Sequence, residues 1–132
     1  MHKIKHTRHA TYQINYHIVW ISKYRRKVLN KELAEATKDV LIGIAQEKEW
    51  DILAVEVQPD HIHLFVSAPP FVSPSDITKA FKGVSARKLL VRYPALAKRA
   101  KGALWSSSYY IGTAGAVSAE IIKRYIEECQ DY

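Results

Sequence analysis

Two apolar runs on either side of one turn limit what this chain can become. Residues 50–57 (Trp-Asp-Ile-Leu-Ala-Val-Glu-Val) and 61–67 (His-Ile-His-Leu-Phe-Val-Ser) flank Gln58-Pro59-Asp60, a proline-aspartate signal for a tight turn. A two-residue loop at Pro59-Asp60 closes them into a hairpin with Gln58 opposite His61, Val57 opposite Ile62 and Glu56 opposite His63. Upstream, residues 12–21 alternate: Tyr12, Ile14, Tyr16, Ile18 and Trp20 share one face, and Gln13, Asn15 and His17 the other. That period of two predicts a strand with one buried face. In between, Leu33, Thr37, Val40, Leu41, Ile44 and Ala45 recur at helical spacing, so a helix is expected over about 31–48.

After the hairpin, a proline-rich breaker leads to a helix from about 75 to 92, capped by Ser73 or Ser75 and ended by Tyr93-Pro94. A basic stretch through Lys101-Gly102 then precedes a fourth strand at about 105–111. Gly112, Gly115 and Ser118 introduce a last helix over 119–130, with Ser118 as its N-cap. The order β-α-β-β-α-β-α predicts an α+β fold, a ferredoxin-like βαββαβ antiparallel sheet with both crossover helices on one face. Strands one and three are then central neighbours, and the C-terminal helix is an addition. A length of 132 residues suits a single domain, 1–132.

Charge is unevenly placed along the chain. Residues 1–31 carry eight cations (Lys3, Lys5, Arg8, Lys23, Arg25, Arg26, Lys27, Lys31) and no anion. Residues 32–60 come to −6, residues 61–105 to +7 and residues 106–132 to −2, for a formal +7 overall. Two basic blocks around an acidic one are the footprint of a polyanion binder, and Lys23-Tyr24-Arg25-Arg26-Lys27 points to nucleic acid. The single cysteine permits no internal disulfide and makes a reducing cytoplasm the expected location. The first nine residues have no apolar run behind them that could serve as a signal peptide, and no 18-residue apolar run could span a membrane. His2, His6 and His9 read as a mobile N-terminal arm.

His61-Ile62-His63 is the feature closest to chemistry. In a strand, His61, His63, Phe65 and Ser67 share a face while Ile62, Leu64 and Val66 face the helices. Glu56 then sits across from His63, about 5 Å away, and His17, with Asn15, joins the patch from strand one. Two imidazoles and a carboxylate resemble a divalent-metal site, although two partly exposed strand histidines satisfy the same pattern. On the last helix Ile121, Ile122, Tyr125, Ile126 and Cys129 share a face. There Tyr125 is either a core aromatic or a phenol able to attack a metal-polarised electrophile. Tyr109 and Tyr110 also suggest nucleophiles, but strand alternation puts one of them in the core. Trp20, Trp50 and Trp105 are expected in the core or a dimer interface.

Taken together, several stretches resemble one family in matching order: Tyr16-His17-Ile18-Val19-Trp20, Lys23-Tyr24-Arg25-Arg26, Glu56 through Leu64, Ser73-Pro74-Ser75, Phe81-Lys82-Gly83, Leu104 through Tyr109, and Ile122 through Glu127. They look like the single-tyrosine HUH transposases, the TnpA type of the insertion-sequence 200/605 group, over about residues 12–130. The resemblance implies that His61 and His63 bind Mg²⁺ or Mn²⁺ and that Tyr125 attacks a phosphate of single-stranded DNA. The product is a 5′-phosphotyrosyl link with a free 3′-OH, from which rejoining needs no ATP. It also implies a homodimer, with the tyrosine helix of one subunit completing its partner's site, and recognition of hairpins near the ends of the element. Candidate DNA contacts are Lys23, Arg25, Arg26, Lys27, Lys82 and Arg87, with Tyr24 as a base-stacking ring.

One position departs from the family pattern. The glutamine expected four residues after the tyrosine is Cys129 here, and Gln130 lies one further on. Thiolate suits Mg²⁺ poorly, so Glu56 is expected to supply the carboxylate, with His17, Asp60 and Gln130 in support. The competing readings are a single-strand-binding module without catalysis, a host-adapted relative acting on chromosomal repeats, and a zinc hydrolase. The last lacks a third histidine or cysteine at suitable spacing.

Overall fold

The computed structural model describes residues 4–6, 8–113, 125 and 127. Its first strands, β1 (Lys5–His6) and β2 (Thr11–Tyr12), pair with each other as a small separate hairpin. His6 is therefore not part of a loose arm: its Nδ1 lies 3.2 Å from Thr11 Oγ1. Lys5 forms an ion pair with Asp51, which ties this hairpin to the main sheet. Tyr12 thus belongs to the hairpin, and the first strand of the main sheet is shorter than expected, β3 (Asn15–Ile21).

Helix α1 (Lys31–Lys48) follows, with the Asn30 side chain accepting the Leu33 N–H at its start. Its predicted apolar stripe is buried, from Leu33 through Ala45. Strands β4 (Asp51–Gln58) and β5 (His61–Ser67) pair in the expected register, Glu56 opposite His63 and Gln58 opposite His61. A bulge at Leu53 shifts the register between Ile52 and Ala54. Helix α2 (Pro74–Arg92) has Ser73 as its N-cap, Pro74 in its first turn and Tyr93 as its C-cap.

The sheet order is β4-β5-β3-β6, all antiparallel, where β6 is Tyr110–Thr113. This is the strand order of the βαββαβ arrangement, with the first and third strands of the unit central. Ile18, Trp20, Ile62, Leu64 and Val66 face α1 and α2, where Leu41, Ile44, Ile77 and Phe81 complete one buried cluster. Each such side chain contributes roughly 1.5–3 kcal/mol when fully removed from water. Trp20, Trp50 and Trp105 all lie in that core. Among the described residues no helix is long and apolar enough to cross a membrane.

Two elements differ from expectation. Helix α3 (Pro94–Ala100) fills the stretch read as a basic loop, and it buries Leu96 and Ala100. Its start is set by proline, whose fixed φ and missing N–H both suit a first turn. The fourth strand begins at Tyr110 rather than near Trp105, because residues 105–108 are drawn elsewhere. Trp105 makes only an isolated bridge to Ser22, and its indole donates to Ser85 Oγ at 3.0 Å. The expected helix over 119–130, with Ser118, Cys129 and Gln130, lies outside the described residues apart from Tyr125 and Glu127, which are helical.

Candidate active site

Strand pairing gathers the histidines on the side of the sheet away from α1 and α2. His17 is opposite Phe65, Val19 opposite His63 and Ile21 opposite His61, so His17, His61 and His63 share that face as expected. The face is not uniformly polar, however. His17, Val19 and Ile21 are all buried, and two of the three are apolar. The His17 ring stacks on Phe65 with centroids 4.0 Å apart.

Hydrogen bonds orient the rings. His17 Nε2 lies 3.2 Å from His63 Nδ1, and His61 Nδ1 lies 2.7 Å from Asp60 Oδ1. A carboxylate only accepts, so His61 Nδ1 donates. The His61 and His63 rings stand nearly perpendicular, at 74° with centroids 5.0 Å apart. Among the described residues, both Nδ1 atoms are engaged and the Nε2 atoms of His61 and His63 are not hydrogen-bonded. Burial, and then His63, pull the His17 pKa down to about 4. His63 is lowered too, first by burial and then by His61, against an upward pull from Glu56. Imidazoles held neutral keep the lone pair that a metal ligand needs.

Glu56 is exposed across from His63, where its Oε1 accepts the Gln58 amide at 2.6 Å. Two imidazoles beside a carboxylate fit a divalent cation in the kind of donor they offer. Among the described residues no three His, Cys, Asp or Glu side chains are close enough together to hold an ion. The set is therefore incomplete as it stands. Gln130, the other expected ligand, lies outside the described residues.

Tyr125 comes to the same side of the sheet. Its hydroxyl is 3.1 Å from Ser108 Oγ, and its ring is 6.5 Å from that of Tyr110. Tyr110 pairs with Val19 and its ring lies 6.4 Å from His17. A run of rings thus leads from the phenol through Tyr110 and His17 to His63. Neither Tyr109 nor Tyr110 is in the core: Tyr109 is exposed, and Tyr110 is half-buried between His17 and Tyr125. Sequence reasoning reads Tyr110 only as a nucleophile or a core ring and does not single out Ser108, because both depend on where the fourth strand starts.

The basic side chains divide into two groups. Arg25 lies 3.6 Å from Asp60 Oδ2. Arg26 donates to the Ala100 carbonyl at 3.0 Å, and its guanidinium also lies over the Tyr24 ring. Lys82 donates to the carbonyls of Ser106 and Ser108 at 2.7 and 2.9 Å. Lys27 and Arg87 are exposed, and Lys23 lies 5.2 Å over the exposed Tyr24 ring.

Residues 10–129 match the model of the family described as "Transposase IS200 like". The chain is 41% identical over 130 residues to the ISDra2 transposase TnpA of Deinococcus radiodurans, covering 98% of this chain and 93% of that protein. It is 33% identical over 124 residues to the transposase for insertion sequence element IS200 of Salmonella typhimurium, covering 91% and 82%. A crystal structure assigned as a transposase from Deinococcus radiodurans R1 superposes with a TM-score of 0.89 at 36% identity, covering 98% of this chain and all of that one. A tyrosine transposase solved with a REP hairpin shares the fold, with a TM-score of 0.55 at 13% identity over 93% of this chain and 68% of the other. The family match over residues 10–129 and these relatives define the class as transposase. The chain belongs to the IS200-like transposase family.

Proposed function

We propose that this protein cleaves and rejoins single-stranded DNA at insertion-sequence ends through a 5′-phosphotyrosine on Tyr125. The observation that carries the reading is the convergence of the Tyr125 phenol and the His61–His63 pair on one side of the sheet, joined through Tyr110 and His17. Tyr125 Oη attacks phosphorus and the P–O3′ bond breaks. The phenol gives up its proton and the departing 3′ oxygen takes one, and the reverse attack by a 3′-OH rejoins the strand. Ser108 Oγ holds the phenol and is placed to relay that proton. His61 and His63, with Glu56, would hold Mg²⁺ or Mn²⁺, which when bound would polarise the scissile phosphate. Lys23, Lys27 and Arg87 supply charge for the DNA backbone, and Tyr24 a surface for an unpaired base. The hairpin-bearing substrate and the homodimer are carried by the family resemblance, and action in the cytoplasm by the single cysteine.

The test is a denaturing gel with labelled single-stranded DNA from the element's own ends. A covalent band that requires Mg²⁺ or Mn²⁺ is expected, lost in Tyr125→Phe with DNA binding retained, and lost in Glu56→Ala. Tight binding unaffected by EDTA, with no band under any condition, would demote the chain to a binding module. Mixing His63→Ala with Tyr125→Phe tests the dimer: a restored band would mean that the tyrosine helix completes the partner's site, whereas the Tyr125–Ser108 contact within one chain predicts no band. A mixture as inactive as its components would put Tyr125 in its own chain's site.

A further inference from the structure

We infer that Arg25 and Asp60 form a positioning pair that fixes the His61 ring with Nε2 as its lone-pair nitrogen before any ligand arrives. The inference rests on the reading of His61 as a metal ligand, but the geometry that supports it is independent of DNA. The Asp60 side chain is only 12% exposed and lies between two partners, His61 Nδ1 at 2.7 Å and Arg25 Nη2 at 3.6 Å. A buried carboxylate needs such compensation. Its neighbours hold the turn in place: Ser22 N–H donates to the Asp60 carbonyl at 3.0 Å and Leu29 N–H to the Pro59 carbonyl at 3.1 Å.

Arg25 reaches this carboxylate through an unfavourable backbone. Tyr24 and Arg25 both adopt left-handed conformations, with φ of 57° and 53°, which are strained for residues with a Cβ. In addition, Arg25 Nε is buried without a hydrogen-bond partner. An arginine placed only to meet phosphate would need neither the strain nor the buried nitrogen. The basic loop is instead wound so that one of its cations turns inward to the turn preceding the histidines.

The consequence is a choice of tautomer. The hydrogen bond made by one imidazole nitrogen decides which nitrogen keeps its lone pair. With Asp60 accepting from Nδ1, the proton stays there and Nε2 is available. Partners of this kind typically change metal affinity 10–100-fold.

Long-range ¹H–¹⁵N correlation spectra of the metal-free, ¹⁵N-histidine-labelled full chain at about pH 8, above the ordinary histidine range, read the tautomer directly. The wild type is expected to show His61 protonated on Nδ1. Asp60→Asn should keep that tautomer, since the amide oxygen still accepts. Asp60→Ala should shift it toward Nε2–H and weaken Mn²⁺ binding, measured by calorimetry without DNA, by about 10–100-fold. Arg25→Met should give a mixture and a smaller loss. A wild-type His61 protonated on Nε2 overturns the inference, as does Asp60→Ala with unchanged tautomer and Mn²⁺ affinity. If Asp60→Ala does not fold, Arg25→Met decides: a loosened tautomer supports the pair, and wild-type spectra and affinity refute it. Absence of a covalent DNA adduct alongside the expected tautomers would instead count against the proposed function.

Discussion

His17 shows how one residue couples the site to stability. It lies under the site, stacked on Phe65 and bonded to His63, and its pKa sits near 4 because burial and His63 disfavour its charge. The unfolded chain binds a proton at this position near 6.5, so between pH 6.5 and 4 the unfolded state holds more protons than the folded one. Stability from this group is therefore complete above 6.5, falls as pH drops through that window and levels off below 4. At most about 3 kcal/mol is involved. Urea unfolding of wild type and His17→Phe across this range should show the wild type losing ground to the variant as pH falls. Parallel curves would mean that His17 titrates normally. At this scale the histidine pair and the opposing Glu56 were legible, since strand alternation and a two-residue turn determine both faces. The buried state of His17 was not, because it depends on rings from β5 and β6 that sequence spacing does not locate.

Elements with complete periodic patterns were read closely. Helix α1, strand β5 and the end of α2 at Tyr93-Pro94 match the expected boundaries, because each has a repeated apolar set and a distinct stop. Helix α3 was missed: seven residues are too few for an amphipathic stripe, and only the proline marks its start. Strand β6 was misplaced because Ser106, Ser107 and Ser108 continue an apparently extended run, whereas Lys82 on α2 takes their carbonyls as acceptors. That lysine is a structural tie between α2 and the segment whose Ser108 touches Tyr125. Lys82→Met keeps the aliphatic stem but leaves two carbonyls without their charged donor, at a cost of about 2 kcal/mol. A lower melting temperature and slower covalent-adduct formation are expected, with DNA affinity near that of the wild type. Unchanged adduct kinetics in a destabilised variant would show that the 106–108 segment does not position the phenol.

On the scale of the whole molecule, the formal charge of +7 overstates what is available to DNA. The alternation of basic and acidic blocks predicts a polarised surface, but sequence cannot tell a cation that faces solvent from one that holds the fold together. Arg25 is directed to Asp60, Arg26 to the end of α3 and Lys82 to the 106–108 segment, while Lys27 and Arg87 are exposed. Each phosphate neutralised on a single strand releases condensed counterions and contributes about 0.7 to the slope of log affinity against log salt. Lys27→Ala and Arg87→Ala should therefore each reduce that slope by up to about 0.7, whereas Arg25→Met and Lys82→Met should leave it nearly unchanged. Fluorescence anisotropy with an end-labelled oligonucleotide across a salt series measures all four. If Arg25→Met flattens the slope as much as Lys27→Ala, its guanidinium must leave Asp60 when DNA binds, and the basic loop would then be coupled to the histidine turn rather than simply beside it.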